Sequence, residues 1–485
     1  MRKAYETQGQ LGCCSIEQLE LNLDCRDEII PILFALKHVF AQQTLRERLC
    51  RLVAGDVNRN TSDDTGREGF DYWQIIVMAI VRLGCNLNYD KLQDLCENHR
   101  ALRCLLRVGD WDETSFRGRR IRDAVCLLQP ETIALLNQEI VEHGQDEHGD
   151  ARRKVRADSF VVETNIHHPT ESSLIWDGVR KMIPLCVKLA LLTGCPGWRQ
   201  ARHLRKRIKQ QVREIARISA SKSPQVTATL SDAYSVLLSR VADLLERVET
   251  LQAQVQRHGC DVRITALSQQ LQHWLTLTTQ VCDTAYRRTQ LKETVPNSDK
   301  LFSLFEPHTQ LYRRGKAGQP NQFGRLVLVY EDAAGFISHY HLMDRDAGDS
   351  EVVVEQTRIA QQRHHGAIED ASFDRGFFSE ANEAALAEIV SHPCLPPRHR
   401  TAYAKWLQTA SIRFRASRQR HPGIESAIGA LQSGNGLQRC RDRTEQGLDR
   451  YLGLAILGRN MQTLGRLLIA RGGSSAAGHN HRAAA

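Results

Sequence analysis

Three carboxylates, Asp158, Asp374 and Glu425, stand where a chain can bring acids together. Asp158 lies in a β-rich run, residues 155–166, among Val155, Ala157, Phe160, Val161 and Val162. A charge on such a buried strand costs several kcal/mol unless it is paired or binds a cation; a strand-end Asp that accepts hydrogen bonds from a turn is the plain alternative. Asp374 follows the apolar run 367–373, with Gly376 behind it to let the backbone turn, and carboxylates at the ends of neighbouring strands converge on one crevice. Pro422 and Gly423 break the chain ahead of a helix with Ile424, Ile428 and Leu431 on one side. Glu425 therefore falls in a first helical turn, where it would serve free backbone amides even without another task. Three oxygen donors in one crevice suit two divalent ions, Mg²⁺ or Mn²⁺, doing phosphodiester chemistry: about 3.5–4 Å apart, such a pair activates the attacking oxygen and stabilises the leaving one.

The elements that must position these acids begin with a helical region, residues 1–148. Within it, 27–54 carries Leu33, Leu36, Val39, Phe40, Leu45, Leu49 and Leu52 at helical spacing, and 72–83 is apolar nearly all round, as a buried helix is. Two shorter helices, 89–98 and 112–128, separated by a turn region ending in Gly109, have the form of a helix-turn-helix. Arg117, Arg119, Arg120 and Arg122 then stand where phosphates would be met; an ordinary bundle with a solvated basic face gives the same pattern. After the Asp158 run, His167 and His168 have no further ligand at metal-site spacing and read as a turn or substrate contact. Residues 174–299 are helical throughout. Arg202, Arg205, Lys206, Arg207, Lys209, Arg213 and Arg217 crowd one helix there, a density that suits a DNA backbone. Leu237, Val241, Leu244, Val248, Leu251 and Val255 form a heptad seam that pairs either within this segment or across a dimer.

From residue 301 strands return. Residues 322–331 and 336–343 flank the turn Asp332-Ala333-Ala334-Gly335 as a hairpin. A helix at 352–362, a strand at 367–373, a helix at 379–389 and a strand at 390–393 follow. With the Asp158 strand in front, the order strand, strand, strand, helix, strand, helix, strand, helix has the ribonuclease-H-like topology, a mixed sheet covered by helices. The expected architecture is multi-domain α/β: an all-helical N-terminal DNA-binding domain at 1–148, a ribonuclease-H-like catalytic domain at 149–173 and 300–471, an all-helical insertion at 174–299, and a disordered tail at 472–485.

Over 485 residues Lys plus Arg outnumber Asp plus Glu by 65 to 56, a net charge of +9 that favours a polyanionic partner. No run of about 20 apolar residues is present, and the first residues lack the apolar core of a signal peptide. A soluble, intracellular protein without a membrane partner is expected. The 14 cysteines include no Cys-x-x-Cys pair, which fits reduced thiols better than a zinc site or a disulfide framework. A two-carboxylate glycosidase would leave the basic helices without a purpose.

The strings Ala157-Asp158-Ser159-Phe160-Val161-Val162-Glu163-Thr164-Asn165-Ile166-His167, Ser372-Phe373-Asp374-Arg375-Gly376-Phe377 and Gly423-Ile424-Glu425-Ser426-Ala427-Ile428 resemble the three catalytic blocks of bacterial insertion-sequence transposases of the DDE class. The likeness extends to Leu301-Phe302-Ser303-Leu304-Phe305-Glu306-Pro307-His308-Thr309, to Arg439-Cys440-Arg441-Asp442-Arg443 and to residues 111–128. It spans most of the chain apart from the first thirty residues, parts of the insertion and the tail. The resemblance implies that Asp158, Asp374 and Glu425 hold two Mg²⁺ or Mn²⁺ ions. It also implies that the N-terminal helices meet terminal inverted repeats in double-stranded DNA, and that the protein works as a homodimer or larger assembly on DNA in the bacterial cytoplasm, associated with the nucleoid. Water would cleave the element's ends to leave a 3′ hydroxyl, which then attacks target DNA with no covalent enzyme intermediate. Where related enzymes carry Tyr-x-x-Arg-x-x-x-Glu-x-x-x-x-x-x-Lys, this chain has Arg418, His421 and Gln432, so contacts to the element's end pass to Arg415, Arg418 and Arg420. A ribonuclease-H-like nuclease or resolvase without strand transfer would share the acids, and a DNA-binding repressor would keep the fold alone.

Overall fold

The computed structural model describes residues 4–5, 15–59, 69–109, 116–149, 151–222, 224–256, 261–313, 320–399, 403, 404, 406, 408 and 410–482. It is mixed α/β and about 64% helical. The chain opens with α1 (Ile29–Ala41) and α2 (Gln43–Val57), separated at Gln42, whose ψ of 89° leaves the helical region, so the stretch expected as one helix is two. In α3 (Tyr72–Gly84) the start is fixed by a capping box: the Asp71 carboxylate accepts the Gln74 amide at 2.6 Å while Gln74 Oε1 accepts the Asp71 amide at 3.2 Å. Next come α4 (Tyr89–Asn98), α5 (Arg100–Leu105) and α6 (Gly118–Val125). The span between the two short helices thus holds a helix of its own, and Trp111 with the start of the expected 112–128 helix lies outside the described residues. In α7 (Pro130–Asp146) proline occupies the first turn, where its missing N–H has no partner to lose.

The Asp158 strand is β1 (Lys154–Glu163). Then come α8 (Glu171–Thr193), α9 (Ala201–Ser219), α10 (Val226–Val255), α11 (Val262–Thr289) and the short β2 (Gln310–Tyr312). The hairpin is β3 (Gln322–Asp332) and β4 (Ile337–Leu342), followed by α12 (Asp349–Arg363), β5 (Asp370–Ser372), α13 (Glu380–Ile389) and β6 (His392–Cys394). Last are α14 (Ile412–Arg420), α15 (Gly423–Ser433) and α16 (Glu445–Arg482). The backbone of α16 runs on as helix past residue 472, in place of the disordered tail expected at 472–485.

Two compact units result: residues 1–165 with 325–485, and residues 166–324. In the first unit, β3, β1, β5 and β6 lie side by side in that order and β4 pairs with β3. The β1–β5 and β5–β6 pairs are parallel, the β3–β4 pair antiparallel. Along β1, Val155 and Ala157 join a core with Leu328, Tyr330, Val353, Phe373 and Leu386. Phe160 and Val162 enter a second core with Val327, Val329, Ile424, Ile428 and Leu431. That second core also contains Leu33, Leu36, Ile76, Ile80, Leu136, Leu452 and Ile456.

The N-terminal helices therefore do not form the separate domain expected at 1–148. Their apolar faces have no core of their own and close around α16, which packs on α1, α3 and α7. The approach of α16 to α3 is backbone to backbone, since a Cβ at Gly458 would fall 2.7 Å from the Gly84 Cα. Beside this crossing Arg82, only 1% exposed, forms a two-pronged pair with Asp442 at 2.5 and 3.0 Å, and its guanidinium lies 4.0 Å from the Tyr89 ring centre.

In the second unit the heptad seam is consumed internally. Leu237, Val241, Leu244, Val248, Leu251 and Val255 are all buried, and α10 packs on α8, α9 and α11, so the seam pairs within this unit. On α9, Ile208, Gln211 and Ile215 face inward and the seven basic residues face solvent. The short β2 pairs antiparallel with Gln322–Gly324. Among the described residues no helix is long and apolar enough to cross a membrane. The described cysteines are free, and burial pushes the thiols of Cys50, Cys96, Cys186 and Cys394 up to about 12, far from a reactive thiolate.

Candidate active site

Strand register brings two of the three acids level. The β1–β5 ladder ends with Arg156 opposite Ser372, and Asp158 and Asp374 each follow two residues later. Side chains alternate along extended backbone, so Arg156, Asp158, Ser372 and Asp374 share one face. Contacts agree: Ser372 Oγ lies 3.2 Å from His421 Nδ1, and the Arg156 guanidinium lies against Gly423. β1 continues to Glu163, so Asp158 is a mid-strand residue, not the strand-end acid of a turn. Its Oδ1 accepts the amide of the neighbouring Ser159 at 2.7 Å. Asp374 opens the single turn Arg375–Phe377 without capping it through its side chain.

Helix α15 carries the third acid onto the same face. It lies so close to β1 that a Cβ at Gly423 would overlap the Arg156 guanidinium. That guanidinium donates from Nε to Glu331 Oε2 at 2.5 Å and from Nη1 to the Arg420 carbonyl at 2.9 Å, tying β1 to β3 and to the end of α14. Beyond α15 the chain rejoins the far end of β1, where the Cys440 amide donates to the Glu163 carbonyl at 2.7 Å. Ile424, Ile428 and Leu431 share a core with Phe160 and Val162 of β1, so α15 lies on the face of the sheet that carries Asp158, with Glu425 two residues past Gly423. Among the described residues the Glu425 carboxylate takes no hydrogen bond and no ion pair, so helix capping does not occupy it.

Sequence reasoning missed Arg156, Ser159 and Asp349. Ser159, on the opposite face from Asp158, donates to Asp349 Oδ1 at 2.6 Å, and Asp349 Oδ2 would lie 3.4 Å from a Cβ at Gly376. Asp349 in the first turn of α12 therefore links β1 to the turn that follows Asp374. Its position in a run of acidic and small residues, Asp344 to Glu351, gave no periodic signal to single it out.

One cation stands beside Asp374. Arg418 Nη2 lies 3.7 Å from Asp374 Oδ1 and its Nη1 donates to the Phe373 carbonyl at 3.4 Å. Arg415 is exposed, whereas Arg420 is half-buried with Nη2 lacking a hydrogen-bond partner. His421 has its pKa pulled down to about 4 by burial and by Arg418, so it is neutral at pH 7. The donor chemistry of the three acids fits a hard cation: oxygen only, with the half-exposed Asp374 and exposed Glu425 leaving room for retained water. Among the described residues, however, no three His, Cys, Asp or Glu stand around a single point. The fold sets Asp158 and Asp374 level on one face and packs the Glu425 helix on that face without drawing the three acids onto one centre.

Buried histidines give this unit a definite pH response. Burial holds His421 and His364 at about 4 and His339 at about 3. The unfolded chain takes up protons on all three as pH falls below their ordinary 6.5 while the fold does not, so stability drops between pH 6.5 and 4. Asp332 acts oppositely: burial raises it to about 7, against hydrogen bonds from Gln145 and two turn amides, so the fold gains from its protonation over the same range. Three protons against one leave a net loss, at about 1.4 kcal/mol per pH unit for each uncompensated proton. Denaturation midpoints measured from pH 7 to 5 should fall steadily; a flat or rising profile would refute the neutral assignment of these histidines.

The predicted DNA-contact residues fall in both units. Arg117, Arg119, Arg120 and Arg122 are exposed on or beside α6, with Arg122 3.0 Å from Asp123 and the Arg120 guanidinium 4.5 Å from the Phe70 ring centre. Packing of α6 on α4 is direct, the Gly118 amide donating to Gln93 Oε1 at 2.7 Å. Arg205, Lys206, Arg207 and Lys209 are exposed on α9. His167 lies 3.6 Å from Asp177 and His168 packs edge-on against Phe323, which makes both part of the turn into α8. No protein-family model, curated protein or solved structure matches this chain.

Proposed function

We propose that this protein is a DNA transposase of the DDE kind, cutting at the ends of an insertion sequence and joining the freed 3′ hydroxyl to target DNA. The observation that carries the reading is the pairing of Asp158 and Asp374 at one level of adjacent parallel strands, with the Glu425 helix seated on the same face through Gly423. The strand order β4-β3-β1-β5-β6 supports a ribonuclease-H-like sheet with a helical insertion after β1. Likeness of the three acid-bearing strings to transposase blocks supports the choice of reaction.

Asp158, Asp374 and Glu425 would hold Mg²⁺ or Mn²⁺; a pair of such ions bound there supplies activation of the attacking oxygen and charge relief at the leaving one. Arg418 orients the Asp374 carboxylate and leaves further N–H groups for a phosphate. The neutral His421 fills the space against Ser372 without adding charge. Arg156 seats α15 and so sets the height of Glu425. Arg415 and the α6 and α9 cations meet the DNA backbone, and the active form is a homodimer or larger assembly on DNA.

The test uses a labelled duplex carrying the DNA that flanks the protein's own coding sequence, with Mg²⁺, Mn²⁺ or EDTA and a supercoiled target plasmid. Metal-dependent nicking followed by joined product is expected. Nicking without joining would leave a ribonuclease-H-like nuclease, and binding without any cut under any metal would leave a DNA-binding repressor. In the same duplex, replacing Arg117, Arg119 and Arg120 by Gln should lower the slope of log affinity against log salt by about 2–3. An unchanged slope would remove α6 from the DNA-contact surface.

A further inference from the structure

The second unit contains a cleft of about 900 Å³ that the cleavage reaction does not use. Its walls are Arg180, Lys181, Pro184 and Leu185 of α8, Arg205 of α9, and Gln269, Gln270, His273 and Trp274 of α11 among others. The helices close tightly at one end, where a Cβ at Gly178 would overlap Thr278. Pro184 inside α8 has no amide to bond the Arg180 carbonyl, which is left without its helical donor at the cleft wall.

We propose that this cleft binds unpaired nucleotides of single-stranded DNA, with a base against Trp274 and its phosphates on Lys181 and Arg205. Trp274 is half-buried and braced edge-on by Phe305 at 5.4 Å and His273 at 5.3 Å, so its ring is held in place as a platform. The Lys181 ammonium is exposed 5.7 Å from that ring's centre, and Arg180, paired with Asp177 at 2.8 Å, lies 5.1 Å from the Phe305 ring centre. Cations interleaved with aromatic faces bind strands whose bases are free to stack, a mode that tolerates any sequence. Glutamine amides at 269 and 270 supply hydrogen bonds suited to base edges. Outward from the cleft, Arg202, Arg205, Lys206, Arg207, Lys209, Arg213 and Arg217 extend along α9, and among the described residues none of the seven pairs with a carboxylate. They form a track for a polyanion that ends in a pocket sized for a ligand. A duplex keeps its base faces stacked and would engage the track alone.

The full chain is titrated with a fluorescein-labelled oligo-dT of about twenty nucleotides and with a duplex of equal length, reading anisotropy and tryptophan emission. Oligo-dT should bind and quench tryptophan. Trp274→Ala should weaken oligo-dT binding about tenfold, with Trp274→Phe close to wild type and the duplex affinity of both little changed. Lys181→Gln with Arg205→Gln should weaken oligo-dT binding and reduce its salt dependence. Equal oligo-dT affinity in wild type, Trp274→Ala and the Lys181→Gln/Arg205→Gln variant overturns the proposal, as does a loss of duplex binding in Trp274→Ala equal to its loss of oligo-dT binding. Asp374→Asn should bind oligo-dT like wild type: cleft binding without any cleavage would sink the transposase reading alone, and cleavage with cleft variants that bind normally would sink this inference alone.

Discussion

Asp158→Asn, Asp374→Asn and Glu425→Gln should each reduce metal-dependent cleavage by about a thousandfold or more, while duplex affinity stays within about twofold of wild type. Each change removes the charge that the proposed metal site needs and almost no volume. The structural contrast between the sites sharpens the expectation. Glu425 is exposed with no partner among the described residues, so its replacement leaves the thermal transition where it was. Asp374 loses only a 3.7 Å pair with Arg418 at a half-exposed position, a small term in high dielectric. Asp158 is more enclosed, but Asn keeps an oxygen to accept the Ser159 amide. Cleavage assays beside thermal unfolding separate chemistry from folding. A variant that unfolds normally and cleaves at the wild-type rate removes that residue from the active site; loss of cleavage in all three, with folding intact, ties the reaction to this face of the sheet.

Arg156→Ala should lower stability by about 3–5 kcal/mol, because it leaves Glu331 buried without its partner. The Glu331 side chain is 5% exposed and its Oε2 accepts from Arg156 Nε at 2.5 Å. The same guanidinium holds the Arg420 carbonyl and lies against Gly423, so the seat of α15 goes with it. Replacing both partners, Arg156→Met with Glu331→Met, should recover most of the loss, since neither charge is then stranded. Denaturant midpoints of the single and double variants decide the matter. A cost below about 1 kcal/mol for Arg156→Ala would mean that the pair behaves as a solvated surface bridge, and α15 would need another anchor. Cleavage by the double variant, once folded, reports whether the height of Glu425 depends on Arg156.

Local pattern in the sequence determined much of this protein. Apolar periodicity gave α3, the α10 seam and the helical character of 174–299, and alternation with turn residues gave the β3–β4 hairpin. The Asp158 strand, the turn behind Asp374 and the helix break before Glu425 were legible because Pro, Gly and β-branched residues act over a few neighbours. Tertiary packing decided the rest. Whether the helices before β1 form a domain depends on where their apolar faces find a partner, and that partner, α16, lies more than three hundred residues away in the chain. The heptad seam reads the same whether it pairs within a chain or between chains; burial against α8, α9 and α11 chose the first. Arg156 looks like any charged residue on a strand until Glu331, Arg420 and Gly423 close around it. Acid types and order are properties of the sequence; their meeting on one face is set by strand register and by a glycine that lets a helix lie on a strand, contacts between residues far apart in the chain that no local pattern encodes.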